Sequence, residues 1–171
     1  MKLSSLCLAL LASTSIACQA GPSIVSTDAA QRQELFSAIK SMEGRWQGPS
    51  PDGTIKYTEF KVSSAGSVVR ETMLPGEEHE MTNMYSLDGN SVVMTHYCAG
   101  GNQPRMRASS IREGRMDFLS EGVQDLKAKD ELYMGAMRLV FVDADHIEQH
   151  WSALKDGELE HEMVIEMTRV K

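Results

Sequence analysis

Cysteine and positive charge are both scarce in this sequence. The chain has three cysteines, and Cys7 lies in an N-terminal segment that resembles a secretory signal. Only Cys18 and Cys98 would remain after its removal, so no disulfide framework is expected and the fold must depend on apolar burial. The 24 acidic residues exceed the 17 Lys and Arg residues, which gives a net charge of −7. This balance argues against a nucleic-acid-binding protein, which needs a basic surface.

A C-x-x-C motif and long amphipathic helices are also missing. No metal site is predicted from this sequence, which has no C-x-x-C pair. Helical periodicity is confined to residues 28–43, with Thr27 or Asp28 as the N-cap and Gly44 as the stop. The apolar face of this helix comprises Leu35, Phe36, Ile39 and Met42. We expect it to close a barrel or pack beside one.

Residues 1–20 are predicted to be a signal peptide. Lys2 precedes an apolar run that is much shorter than the roughly 20 residues needed to span a bilayer, and small residues follow it. Ser15-Ile16-Ala17-Cys18 resembles a bacterial lipobox, which implies lipidation of Cys18; cleavage after Ala17 or Ala20 is the alternative. Either route predicts a periplasmic or outer-membrane location, with membrane contact only through the lipid anchor. Residues 21–29 are interpreted as a tether.

Beyond residue 43, short runs of strand-forming residues recur between turn signals such as Pro51-Asp52-Gly53 and Asp88-Gly89-Asn90. Strands are predicted near residues 44–48, 54–62, 67–74, 79–87, 91–98, 104–112, 115–120, 136–142, 146–154 and 159–170. Residues 119–135 are predicted to form a lid-like loop with a helical turn near 123–129. A meander of this length closes to remove its edges. The predicted fold is all-β: an antiparallel up-and-down barrel of about 8–10 strands over residues 30–171, with one N-terminal helix.

Strand alternation assigns side chains to the barrel interior. A two-residue turn at Asp88-Gly89 pairs Leu87 with Asn90, because opposed residues share a face. The inner face then carries Met81, Asn83, Tyr85, Val92, Met94, His96 and Cys98. A two-residue turn at Asp156-Gly157 places His150, Ser152 and Leu154 inside with Leu159, His161, Met163, Ile165 and Met167. A register slip of one residue would exchange the faces.

The predicted interior combines histidines with many methionines. His96, His150 and His161 each need a partner, a water or a ligand, since an unpaired buried imidazole is costly. The methionines favour either a loosely specified core or an adaptable cavity wall, and a barrel of this size can hold one small ligand. Arg105 is predicted either to hold an anionic group at the rim or to anchor its turn. Glu71 is a candidate interior carboxylate that pairs with such an arginine.

The start of the first strand carries a family resemblance. Gly44-Arg45-Trp46 after a short helix resembles the G-x-W opening of calycin barrels, the lipocalins and fatty-acid-binding proteins. The resemblance implies that Trp46 plugs the closed end and that Arg169 stacks on it. The lipocalin T-D-x-x-Y signature is absent, so the likeness is to the wider superfamily and to small uncharacterised bacterial secreted proteins with a lipocalin-like barrel.

The main functional hypothesis is binding of a small, largely apolar or amphiphilic ligand with one polar or anionic end. The predicted ligand-binding residues are Met81, Asn83, Tyr85, Met94, His96, Cys98, Arg105, His150, His161 and Met163, with Ile165 in the wall. No cofactor and no catalytic residue is predicted under this hypothesis.

Three alternatives remain open. Gly44-Arg45-Trp46-Gln47-Gly48 also resembles the opening of nitrobindin-like barrels, which implies haem binding by a late-strand histidine, here His161. An enzyme would use Cys98 with His79, which lies opposite in the predicted register, or with His96. Two residues along a strand separate His96 from Cys98 by about 7 Å, which is long for an ion pair. A structural module that binds envelope partners is the third alternative.

Overall fold

The computed structural model of the chain describes residues 26–171. The predicted signal peptide, Cys18 and most of the predicted tether lie outside the described residues. One helix, α1 (Ala29–Lys40), precedes ten strands: β1 (Gly44–Pro49), β2 (Ile55–Ser63), β3 (Val68–Met73), β4 (Met81–Asp88), β5 (Ser91–Tyr97), β6 (Gln103–Ala108), β7 (Arg115–Gln124), β8 (Tyr133–Phe141), β9 (His146–Lys155) and β10 (Glu158–Arg169). Each strand pairs with its sequence neighbours, and β10 returns to β1 to close the barrel. The predicted all-β meander, closed into a barrel with one N-terminal helix, is confirmed.

Helix α1 packs across one end of this barrel, beside the β4–β5 turn. Asp28 caps it by accepting backbone hydrogen bonds from Ala30 and Gln31. The backbone N–H of Asp28 in turn donates to Asn90 Oδ1 at 2.7 Å. The apolar face buries Leu35, Phe36 and Ile39 against the strands. In residues 26–171 no helix combines the length and apolarity needed to cross a membrane.

The end of the barrel beneath α1 is closed by an aromatic plug. Trp46 is buried, and its Nε1 atom donates to the Met42 carbonyl at 2.7 Å. The Arg169 guanidinium lies 4.2 Å from the centre of the Trp46 ring, as the family resemblance implied. Arg169 also donates to the carbonyls of Glu43 and Ser41 at 2.7 and 2.8 Å. These bonds satisfy carbonyls that follow the last helical turn, where no intrahelical donor remains.

The seam between β1 and β10 is short. The paired residues are Trp46 with Arg169 and Gln47 with Thr168. Gly48 approaches so closely that a Cβ atom there would collide with the carbonyl oxygen of Glu166, so only glycine fits this position. The N-terminal part of β10 has no pairing partner in β1, and most residues of that part are exposed.

The region between β7 and β8 differs from the sequence-based expectation. The predicted helical turn near 123–129 is wrong, because β7 continues to Gln124. Val123 and Gln124 pair with Pro104 and Gln103 of β6, so these residues belong to the sheet. A non-helical loop, residues 125–132, connects to β8.

Candidate ligand-binding site

A cavity of about 210 Å³ lies at the end of the barrel opposite α1, which we call the mouth. Strands β2, β4 and β8 begin here, and β1 and β3 end here. The wall is dominated by thioether and aliphatic side chains. The lining residues are Gly48, Pro49, Lys56, Thr58, Met73, Leu74, Met81, His96, Met134, Trp151, Met163, Ile165 and Met167. Residues from β1 and β10 both contribute, so the cavity lies beside the short seam between these strands.

The β4–β5 hairpin supplies the most deeply buried polar groups of the site. Asp88 pairs with Ser91, which shifts the register by two residues from the prediction. An even shift preserves the two faces. Asn83, Tyr85, Met94 and His96 are therefore buried, as alternation indicated, while Met81 is half-buried and lines the cavity. The shift places Asn83 directly opposite His96.

The β9–β10 hairpin shows the opposite outcome. Leu159 pairs with Leu154, but a β-bulge follows, and His161 pairs with Ala153 instead of Ser152. This slip of one residue exchanges the faces of β9. The prediction that His150 lies inside is therefore wrong: His150 faces outwards and bonds to Glu148 at 2.7 Å.

Gln149 and Trp151 take the inward positions on β9, and neither was predicted as a site residue. Both are buried. Met163 pairs with Trp151 and Ile165 with Gln149, and β10 presents Met163, Ile165 and Met167 to the cavity as predicted. The prediction that Leu159 and His161 also lie inside is wrong, because both are exposed. The sequence contained a signal for this register, because Ile147, Trp151 and Ala153 form the more apolar face of β9.

A fully buried carboxylate organises the polar groups beneath the cavity. Glu71 accepts hydrogen bonds from Asn83 Nδ2, Tyr85 Oη and Gln149 Nε2 at 2.7, 2.7 and 2.8 Å. Gln149 Oε1 accepts in turn from Trp151 Nε1 at 3.1 Å. The predicted pairing of Glu71 with an arginine is wrong; its partners are three neutral donors. Burial raises the pKa of the Glu71 carboxyl, and the three hydrogen bonds oppose that rise.

His96 extends this network to the cavity wall. Its Nδ1 atom lies 2.6 Å from Asn83 Oδ1, and its ring centre lies 5.1 Å from that of Trp151. The residue is 2% exposed, and its Nε2 atom is buried without a hydrogen-bond partner in the described chain. Burial lowers the pKa of His96 to about 4, so the imidazole is neutral near neutral pH. A buried polar atom of this kind needs a partner from a ligand or a water.

Arg105 does not reach the mouth. It is exposed on the outer surface of β6, whereas its neighbours Pro104 and Met106 are buried. Arg105 donates to Glu121 at 3.0 Å and to Asp88 at 3.3 Å. The prediction that it holds a ligand at the rim is therefore wrong, because alternation directs its side chain away from the interior.

Two residues of the alternative hypotheses, His79 and His161, do not take their predicted positions. Cys98 is half-buried just after β5, where its Sγ atom accepts from the backbone of Gly100 at 3.4 Å. His79 is exposed in the loop before β4, so the register shift removes the predicted juxtaposition with Cys98. His161 is exposed and does not line the cavity.

The described residues contain no group of three or more His, Cys, Asp or Glu side chains placed to hold a metal ion. No protein-family model matches the chain, and no curated protein sequence matches it. Function must therefore be inferred from the geometry of the cavity.

Proposed function

We propose that this protein is an extracytoplasmic, calycin-like binding protein for a small, largely apolar molecule that carries one polar group. The observation that supports this proposal is an apolar cavity lined by His96, whose buried Nε2 atom has no hydrogen-bond partner in the described chain. Ligand sites are typically concave and apolar, with a few placed polar groups that fix orientation. Met81, Met163 and Ile165 would contact the apolar part, and His96 would contact the polar group.

The size and flexibility of the wall indicate the scale of the ligand. A volume of 210 Å³ is below the roughly 300–1,000 Å³ of sites for drug-sized ligands. Water occupies about 30 Å³ per molecule in the liquid, so the cavity accommodates on the order of seven to ten non-hydrogen atoms. Methionine side chains adapt readily to irregular apolar shapes. We therefore propose a compact ligand and not a long acyl chain.

The proposed location and anchor depend on the N-terminal sequence. The charged, apolar and small-residue segments of residues 1–20 support secretion, and Cys18 in Ser15-Ile16-Ala17-Cys18 supports a lipid anchor at the outer membrane. The G-x-W opening at Gly44–Trp46, with Arg169 on the Trp46 ring, supports the calycin-like assignment.

Methionine-methyl NMR tests the binding proposal. Protein labelled with ¹³C at the methionine methyl groups would be titrated with 1-hexanol, a probe of about the proposed size. The methyl signals of Met73, Met81, Met134, Met163 and Met167 are expected to shift, since these side chains line the cavity. The signal of Met84, which alternation places on the outer face of β4, is expected to stay in place.

A matched pair of neighbouring substitutions checks the location. Met163→Trp adds bulk inside the cavity and is expected to abolish the 1-hexanol shifts. Val164→Trp adds the same ring one residue later on the outer face, where Val164 is 53% exposed, and is expected to leave binding intact. Binding that survives Met163→Trp, or wild-type spectra that do not respond, would contradict the proposed function.

The haem and enzyme hypotheses stay predictions. His161 is exposed, so its position gives the haem hypothesis no specific support. The β4–β5 register does not place His79 opposite Cys98, so it gives the enzyme hypothesis none.

A further inference from the structure

We propose that the cavity selects neutral ligands that donate a hydrogen bond, such as alcohols, and discriminates against carboxylates. This inference rests on the proposed function and specifies the chemistry of its polar contact. It follows from the hydrogen-bond chain that runs from Trp151 through Glu71 to His96, because the direction of each bond determines the next.

The first group in this series of hydrogen bonds, the Trp151 indole, can only donate. The indole Nε1 of Trp151 has no acceptor capacity, so the Gln149 atom 3.1 Å away is its amide oxygen. The amide nitrogen of Gln149 therefore faces Glu71 and donates to Oε1 at 2.8 Å. One oxygen of the buried carboxyl thus serves as an acceptor.

The orientation of Asn83 is determined by two acceptors. Its Nδ2 atom lies 2.7 Å from Glu71 Oε2 and 3.6 Å from Met73 Sδ. A thioether sulfur accepts but cannot donate, so the amide nitrogen belongs on this side. The amide oxygen then faces His96 Nδ1 at 2.6 Å, and this ring nitrogen must carry the proton.

The tautomer of His96 follows directly. In a neutral imidazole one ring nitrogen donates and the other accepts. Because Nδ1–H donates to Asn83, the Nε2 atom carries a lone pair, on a ring that belongs to the cavity lining. It is buried, and no described residue donates to it. A ligand that bonds to this atom must therefore supply the hydrogen, as a hydroxyl or an N–H group does.

The same surroundings oppose an anion. A carboxylate would bring a negative charge towards the lone pair and the buried Glu71 carboxyl, without a proton to donate. The cation in the cavity lining is Lys56, whose ammonium group is bonded to Glu77 at 2.7 Å. Arg105 and Arg107 lie on the outer surface with Asp88 and Glu121. The apolar wall therefore leaves a carboxylate poorly compensated.

Three probes of similar length separate these contributions. Dissociation constants of 1-hexanol, 1-fluorohexane and hexanoate would be measured from the methionine-methyl shifts near neutral pH. We expect 1-hexanol to bind about tenfold more tightly than 1-fluorohexane, which corresponds to one net hydrogen bond. Hexanoate should bind at least about tenfold more weakly than 1-hexanol.

The wild-type protein also permits a direct test of the tautomer. Long-range ¹H–¹⁵N spectra of His96 should show a protonated Nδ1 and an unprotonated Nε2. The Nε2 resonance should move on addition of 1-hexanol and stay in place with 1-fluorohexane. This readout requires no substitution, so it does not depend on whether a variant folds. His96→Phe, if folded, should bind 1-hexanol and 1-fluorohexane equally.

The outcomes distinguish this inference from the function on which it rests. Equal binding of 1-hexanol and 1-fluorohexane to the wild type, tighter binding of hexanoate, or a protonated Nε2 would overturn the inference while leaving a binding cavity. No binding of any of the three probes would overturn the proposed function itself.

Discussion

The two ends of the barrel use similar residue types for different purposes. Beneath α1, Trp46 donates to Met42 and supports Arg169, whose own donors reach backbone carbonyls. At the mouth, Trp151 is also buried and hydrogen-bonded, but the neighbouring His96 Nε2 has no protein partner. Methionine side chains line this end in place of an aromatic plug, and only a short pairing joins β1 to β10.

From this difference we expect the closed end to contribute mainly to stability and the mouth to contribute mainly to the proposed binding. At the closed end, the polar atoms of the plug are paired and the Trp46 ring is buried, which is the arrangement expected of a stabilising core. At the mouth, a polar atom is held in a defined orientation beside an adaptable apolar wall. We expect substitutions at the closed end to lower the free energy of unfolding, and substitutions at the mouth to change binding more than stability.

The largest effect is expected at the plug. Trp46→Ala should lower the free energy of unfolding by about 3–5 kcal/mol, because it leaves a cavity and removes the surface on which Arg169 stacks. Urea denaturation followed by far-ultraviolet circular dichroism measures this change. Ile55→Ala, which truncates a 52% exposed side chain near the mouth, serves as the control and should change stability by less than about 1 kcal/mol. Similar losses for both variants would remove the distinction between the two ends.

The topology was predictable from the sequence because it depends on robust signals, whereas the plug at the closed end was implied by the G-x-W resemblance. Ten runs of strand-forming residues separated by turns require no knowledge of register, and all ten appear as strands. The buried face of β4 and β5 was also predictable, although the turn lies one residue later than predicted, which shifts the pairing register by two residues. An error of two residues does not change which side chains point inwards.

The mouth was less predictable because a single extra residue determines it. The bulge after Leu159 turns Gln149 and Trp151 inwards and His150 outwards. Bulges have weak sequence signals. The apolar residues Leu159, Met163 and Ile165 alternate along β10 whether or not a bulge is assumed, so they do not reveal it. The partners of Glu71 were missed for the same reason, since one of its three donors is Gln149.

A smaller effect is expected from acidification, and it reports on the mouth. Burial lowers the pKa of His96 from 6.5 to about 4, so the folded protein binds fewer protons here than the unfolded chain. This contribution to stability is present above about pH 6.5 and is lost as the pH falls towards about 4. Between about pH 8 and about pH 5 the loss is about 2 kcal/mol.

Comparison with variants isolates this contribution from that of Glu71. Burial raises the pKa of Glu71, so its contribution changes in the opposite direction: it grows as the pH falls towards the unfolded value near 4.5. The difference in unfolding free energy between the wild type and His96→Gln should therefore shrink by about 2 kcal/mol from about pH 8 to about pH 5. His150→Gln removes an outward-facing imidazole and serves as the control. A difference that does not vary with pH would show that His96 is not held neutral by burial.

The smallest effect on stability is expected where the cavity wall meets solvent. Met163 is 36% exposed and borders a space that is already open, so Met163→Ala should lower the free energy of unfolding by about 1 kcal/mol or less. Met94→Ala removes the same atoms from a fully buried site on β5 and should cost about 2–5 kcal/mol. Thermal and urea unfolding of the two variants provide the comparison. Equal losses would mean that the mouth is packed as a core, whereas a small loss together with weaker 1-hexanol binding assigns Met163 to the ligand and not to the fold.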